Sequence, residues 1–99
     1  MKHTLLFANK YLKTGNTLTS SLKNYDFAMI YMKWDDGTVD SLVIPCWNVD
    51  GTYNHFTQTF ILRNKEATYY AQFSFDTKGT TVTSGVAVGA GWTWVIGIN

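Results

Sequence analysis

Residues 18–34 read LTSSLKNYDFAMIYMKW. From Tyr25 onward the stretch alternates as a β-strand does, with successive side chains on opposite faces. Tyr25, Phe27, Met29 and Tyr31 fall on one face, and Ala28, Ile30, Met32 and Trp34 on the other. Both faces are apolar. A chain of 99 residues builds one domain around one core. One face of this strand can line that core, and the other needs a different cover. Burying each large apolar side chain is worth about 1.5–3 kcal/mol, so leaving a whole strand face in water is costly and invites aggregation. A central place in a barrel, a long covering loop or a partner chain would each supply the cover. Among partners, symmetric copies of the same chain are the commonest. The expectation is a subunit interface on Ala28, Ile30, Met32 and Trp34. The C-terminal GWTWVIGIN, residues 91–99, repeats the theme: Trp92, Trp94, Ile96 and Ile98 share a face with Val95 opposite.

Period-two segments recur along the whole chain, broken by Gly, Asn and Asp at short intervals, which is the pattern of an all-β sandwich or barrel. Strands are expected over 4–12, 17–22, 25–34, 39–47, 56–62, 67–75, 80–88 and 92–98. KTGN (13–16) and DTKGT (76–80) are turn signals, and the Asp36-Gly37 pair suits a tight hairpin. Pro45 cannot donate to a ladder, so its strand belongs at an edge or a bulge. The glycines at 85, 89 and 91 fit a bend or bulge. No segment has a helical period. The expected fold is a single domain over 1–99, an all-β, antiparallel, jelly-roll-like sandwich of about 7–8 strands.

Composition narrows the function. Hydrophobic residues make up 45% and aromatics 16%, enough for a core, while charged residues are only 15%. A formal charge of +1 with scattered Lys and Arg argues against nucleic-acid binding. Cys46 is the single cysteine, so no disulfide framework exists within the chain. The opening MKHTLLFANKYLK lacks a long apolar run and a small-residue cleavage site, and is expected to be mature chain. No run reaches the roughly 18 apolar residues of a helical membrane span, so no membrane insertion is expected.

No catalytic set stands out, and the chain reads as a non-enzyme without a cofactor. There is no G-x-S-x-G elbow. His3 lies near a terminus and His55 beside a loop. Asp35 and Asp36 are adjacent, a spacing that suits a turn better than an acid/base pair. NVDGTYNH, residues 48–55, lacks the alternating acids and terminal Glu of a calcium loop. Zinc would need more Cys and His. GVAVGAG (85–91) precedes a strand rather than a helix, so it fails as a dinucleotide loop. What remains is binding. Aromatic rings stack on the C–H faces of sugars, and Asp and Asn bind their hydroxyls. Trp47, Asn48, Asp50, Tyr53, Asn54 and His55 have that mix. The competing view is an ordinary hairpin loop in which Trp47 is simply the last core residue of its strand.

The segment TLTSSLKNYDFAMIYM, residues 17–32, resembles a recurring element of bacteriophage and prophage tail proteins. There, a TLTDSL.NYDFLIIY-like stretch opens a small C-terminal β-sandwich of a tail fibre or minor tail protein. GWTWVIGIN resembles the close of that element, with Ile96 where a Tyr is common. The short strand from Thr4 to Ala8 and LVIP (42–45) also fit. The resemblance implies a receptor-binding tip domain in the virion, commonly a homotrimer, that attaches to polysaccharide, teichoic acid or protein at the bacterial cell surface. It carries over no catalytic and no receptor-binding residues. It implies structural roles for Asn24 in a turn, Tyr25 pointing inward and Asp26 tying down a backbone amide. The alternatives are a monomeric carbohydrate-binding module attached to a cell-wall enzyme and a purely structural tail or baseplate subunit.

Overall fold

The 25–34 stretch is central, as its two apolar faces require. In the computed structural model, which describes residues 2–47, 50–51 and 55–99, strand β2 (Phe27–Trp34) is hydrogen-bonded on both sides. Its neighbours are β3 (Val39–Pro45), across the Asp36-Gly37 hairpin, and the C-terminal β7 (Gly91–Ile98). β7 in turn pairs with β1 (His3–Asn9), giving a four-stranded antiparallel sheet of order β1-β7-β2-β3. The second sheet is a meander of β4 (Phe60–Arg63), β5 (Tyr70–Phe75) and β6 (Val82–Val88). The two sheets enclose one core, so the chain is an all-β antiparallel sandwich.

The hairpin at Asp36-Gly37 closes as its sequence dictates. Gly37 has φ +89°, a conformation costly for any residue with a Cβ. The Asp36 carboxylate accepts bonds from the Thr38 hydroxyl and N–H at 2.6 and 2.9 Å. Pro45 ends β3, which is an edge strand.

Two expected strands come out differently. Residues 17–22 form no ladder and make a single isolated bridge, Thr17 to Thr81, just before β6. This segment crosses from one sheet to the other. Leu18 N–H donates to Thr80, Thr19 N–H to Leu6 and Leu22 N–H to Gly79, so its partners change every few residues. It ends in a 3₁₀ turn, Leu22–Asn24, capped by the Ser21 hydroxyl. Its alternation is real, because Leu18 and Leu22 plug the open side of the core. Residues His55–Thr57 likewise make a 3₁₀ turn before β4. Phe56 is buried there.

The other side of the sandwich is fastened by Asp40 on β3. Its carboxylate accepts the backbone N–H of Arg63 on β4 at 2.9 Å, and also that of Ser41.

The core is built from Leu6, Ala28, Ile30, Met32, Trp34, Ile44, Leu62, Phe73, Phe75, Val82 and Val95, with Leu12, Leu18, Leu22 and Phe56 closing its margins. The interface expected on Ala28, Ile30, Met32 and Trp34 is therefore corrected. All four are buried inside a single chain, against the second sheet and the closing segments. Trp34 carries an oddity. Its indole N–H is buried and has no hydrogen-bond partner among the described residues. An unsatisfied buried donor costs about 1–3 kcal/mol.

Two consequences are measurable by thermal or urea denaturation. Trp34→Phe discards the orphan donor along with some packing, so it is expected to cost little, under about 1.5 kcal/mol. Trp34→Ala opens a cavity and is expected to cost about 3–5 kcal/mol. The second concerns acid. At Asp76 burial works to raise the carboxyl pKa, but bonds from the backbone N–H groups of Thr80, Thr81 and Gly79, with the charge of Lys78, hold it below its ordinary value. A depressed carboxylate stabilises the fold above its unfolded pKa and loses that contribution as pH falls below it. Asp76→Asn is expected to lower Tm at pH 7 and to flatten the decline of Tm toward pH 3.

Candidate functional site

The outer face of the four-stranded sheet is where the structure departs most from an ordinary soluble surface. The reason lies in β7. Its inward positions are Gly91, Thr93, Val95 and Gly97, all small or β-branched. Its outward positions are Trp92, Trp94, Ile96 and Ile98. The inward glycine at 97 is required: the Tyr25 ring lies across it, and a Cβ there would come within 2.6 Å of the ring. Tyr25 accordingly points inward and is buried, the orientation implied by the family resemblance.

Register then assembles a continuous patch. Leu5, Ile96, Met29 and Val43 form one row across the four strands. Ile98, Phe27 and Pro45 lie beside it on one side, and Trp94, Tyr31 and Ser41 on the other. Val43 is 58% exposed, Leu5 55%, Phe27 47% and Trp92 41%. Tyr31 and Trp94 have ring centroids 5.5 Å apart at 56°, and Trp92 and Trp94 are 6.2 Å apart at 51°. Of the strand residues on this face, Lys33 carries a charge and His3 stands at one corner. Strands spaced about 4.8 Å apart and rising about 3.3 Å per residue make the face roughly 19 by 25 Å in plan. Single exposed apolar side chains are normal, but a contiguous apolar sheet face of this size marks an interaction surface.

Of the six residues expected to bind a ligand, only Trp47 and Asp50 lie with their side chains among the described residues. Trp47 is half-buried and packs against the core, as the hairpin-loop alternative has it. Asp50 and Gly51 are exposed, with Gly51 at φ +85°. Asn48, Tyr53 and Asn54 lie outside the described residues, as does the His55 side chain. Asp26 is exposed, and its own backbone N–H donates to Asn99 and Ile98. Asn24 closes the 3₁₀ turn.

The outer-face residues were visible in sequence as two apolar strand faces. What was missing was the side each turned to the core. Among the described residues no cluster of three metal-ligating side chains occurs, and no helix is long and apolar enough to cross a membrane. Comparisons with protein-family models, with curated proteins and with solved structures find no match to this chain.

Cys46 has the chemistry of a packing residue. Desolvation, reinforced by the charge of Asp26, pushes its thiol pKa up to about 12. The nucleophilic thiolate is thus scarce at neutral pH. The native protein is expected to resist a thiol reagent at pH 8 and to react stoichiometrically once unfolded in urea. Rapid native labelling would show the thiol to be exposed.

Proposed function

We propose that this chain is a non-enzymatic attachment domain that works as a homotrimer, with the outer face of the β1-β7-β2-β3 sheet turned toward its copies. The observation that carries this reading is the inverted central strand β7, which spends its large side chains, Trp92, Trp94, Ile96 and Ile98, on the outside of the sandwich. A second copy suits this face better than a charged partner, because the face offers almost no charge to pair. Its extent also suits assembly. The plan area is roughly 500 Å², more as accessible surface, against about 800 Å² per partner in a standard interface. Three such sheets facing a common axis would form a closed prism with this face out of water. The resemblance of residues 17–32 and 91–99 to phage tail elements extends the reading to a receptor-binding tip in the virion, gripping bacterial cell-surface polysaccharide or protein, with weak sites multiplied by avidity.

The aromatic row Tyr31–Trp94–Trp92 favours a second reading, a monomeric carbohydrate-binding module with sugar stacked on the sheet. The tilts of 51° and 56° between neighbouring rings count against it, since a flat sugar platform needs near-coplanar faces. The aliphatic row of Leu5, Ile96, Met29 and Val43 offers sugar even less.

Light scattering coupled to size exclusion tests the assembly. Wild-type protein is expected at three times 11.2 kDa. Leu5→Glu and Val43→Glu, at positions already exposed in the single chain, are expected to give folded species of one chain mass. A wild-type mass of 11.2 kDa with intact folding would overturn the trimer, and a mass of twice that would keep the face but change the symmetry. Loss of adsorption to host cells on adding the free domain as competitor would support the receptor role.

A further inference from the structure

The second sheet exposes Val86 and Val88 on its outer face, and polar chemistry enters at its β4–β5 hairpin. In the β4–β5 hairpin, Arg63 pairs with Tyr70 and Ile61 with Gln72. All four side chains point away from the core, since Leu62 and Ala71 between them are buried. With Ala67 they line a shallow depression of about 190 Å³. This is smaller than the roughly 300–1,000 Å³ of a drug-sized pocket, so it takes one ring-sized group.

The hairpin holding this depression is braced. Asn64 is buried, its side-chain carbonyl accepts the Tyr69 N–H at 3.1 Å, and its amide donates to the Thr68 hydroxyl at 2.9 Å. Ala67 sits at φ 58°, a left-handed conformation uncommon for a residue with a Cβ, held by its N–H bond to the Asn64 carbonyl. Arg63 supplies the charge. Its guanidinium has no ion-pair partner among the described residues. The carboxylate bonded to its backbone, Asp40, is occupied by two N–H groups.

We propose that this depression binds the carboxylate-bearing sugar unit of an acidic glycan, a hexuronic acid or a close relative. The Arg63 fork takes the carboxylate through paired N–H donors. The Tyr70 ring and the Ile61 side chain meet the apolar face of the sugar, and the Gln72 amide and Tyr70 hydroxyl bond its hydroxyls. The site goes beyond the attachment reading and needs no particular oligomeric state. In an assembly closed by the first sheet, this face turns away from the axis and stays open.

The test is an amide NMR titration of the intact chain with sodium glucuronate, with glucose and sodium acetate as controls. Glucuronate is expected to bind in the millimolar range, shifting residues of 61–72. Glucose and acetate are each expected to bind about tenfold more weakly or worse. Arg63→Gln, at an exposed position, is expected to lose glucuronate binding by about tenfold or more with an otherwise unchanged spectrum. Tyr70→Phe, which keeps the ring, is expected to lose less. No shift in 61–72, an equal response to glucose or acetate, or wild-type affinity in Arg63→Gln would overturn the site. Cell adsorption by Arg63→Gln separates the two readings. If titration fails while adsorption persists, the attachment role stands without this site.

Discussion

The structure depends on one strand being small inside and large outside. β7 is hydrogen-bonded to β1 on one side and β2 on the other. Gly97 on its inner face admits the Tyr25 ring, and Gly91 sits where a Cβ would collide with the Lys33 carbonyl. The sheet can therefore lie close to the loop that carries Tyr25 and to the end of β2. The same economy leaves the bulky residues of β7 no place but the outer face. Filling the core and displaying an apolar surface are two results of one alternation, because a strand has period two and cannot choose its faces residue by residue.

The two sheets answer this constraint in opposite ways. In the second sheet β5 buries Ala71, Phe73 and Phe75 and turns Tyr70 and Gln72 outward, the usual division for a half-solvated antiparallel strand. Phe73 stacks with Phe60 and Phe75, with ring centroids 5.8 and 5.7 Å apart, so the aromatic mass of this sheet is spent inside. In the first sheet much of it is spent outside, on Tyr31, Trp92 and Trp94. The second sheet still exposes Ile61, Val86 and Val88, so the asymmetry lies in where the aromatic side chains go and in the polar residues of the β4–β5 hairpin.

Much of this was legible from residues alone. The alternation of 25–34 and the Asp-Gly turn at 36–37 specified a β2–β3 hairpin, Pro45 left an edge or a bulge open for β3, and the structure has the edge. The failures have a common physical origin. Period two reveals that a strand has two faces but not which one meets the core, so Ala28, Ile30, Met32 and Trp34 were assigned outward when their smaller first member and fully enclosed neighbours place them inside. Residues 17–22 put Leu18 and Leu22 into the core margin, yet their N–H groups bond in turn to the β5–β6 connection and to β1 rather than along one strand. The Arg63–Tyr70 pairing escaped notice because it exists only through hairpin register, and the residues are seven apart in sequence.

The outward face also bears on why so short a chain folds. A domain of 99 residues buries a smaller fraction of its surface than a large one, and with a single cysteine it has no internal disulfide to restrict the unfolded state. Its core contains an indole N–H at Trp34 with no partner among the described residues and a buried hydroxyl at Thr93 whose partner is the Met32 sulfur, a weak acceptor. Each of these groups costs the isolated chain some stability. Association that binds only the folded form adds stability by mass action, and it does so through the residues the fold leaves outside. Under the proposed assembly the apolar face is then no defect of an otherwise complete sandwich. In that assembly it would be the part of the hydrophobic core that the chain completes with its copies, which would tie folding stability to protein concentration and make attachment multivalent in the same step.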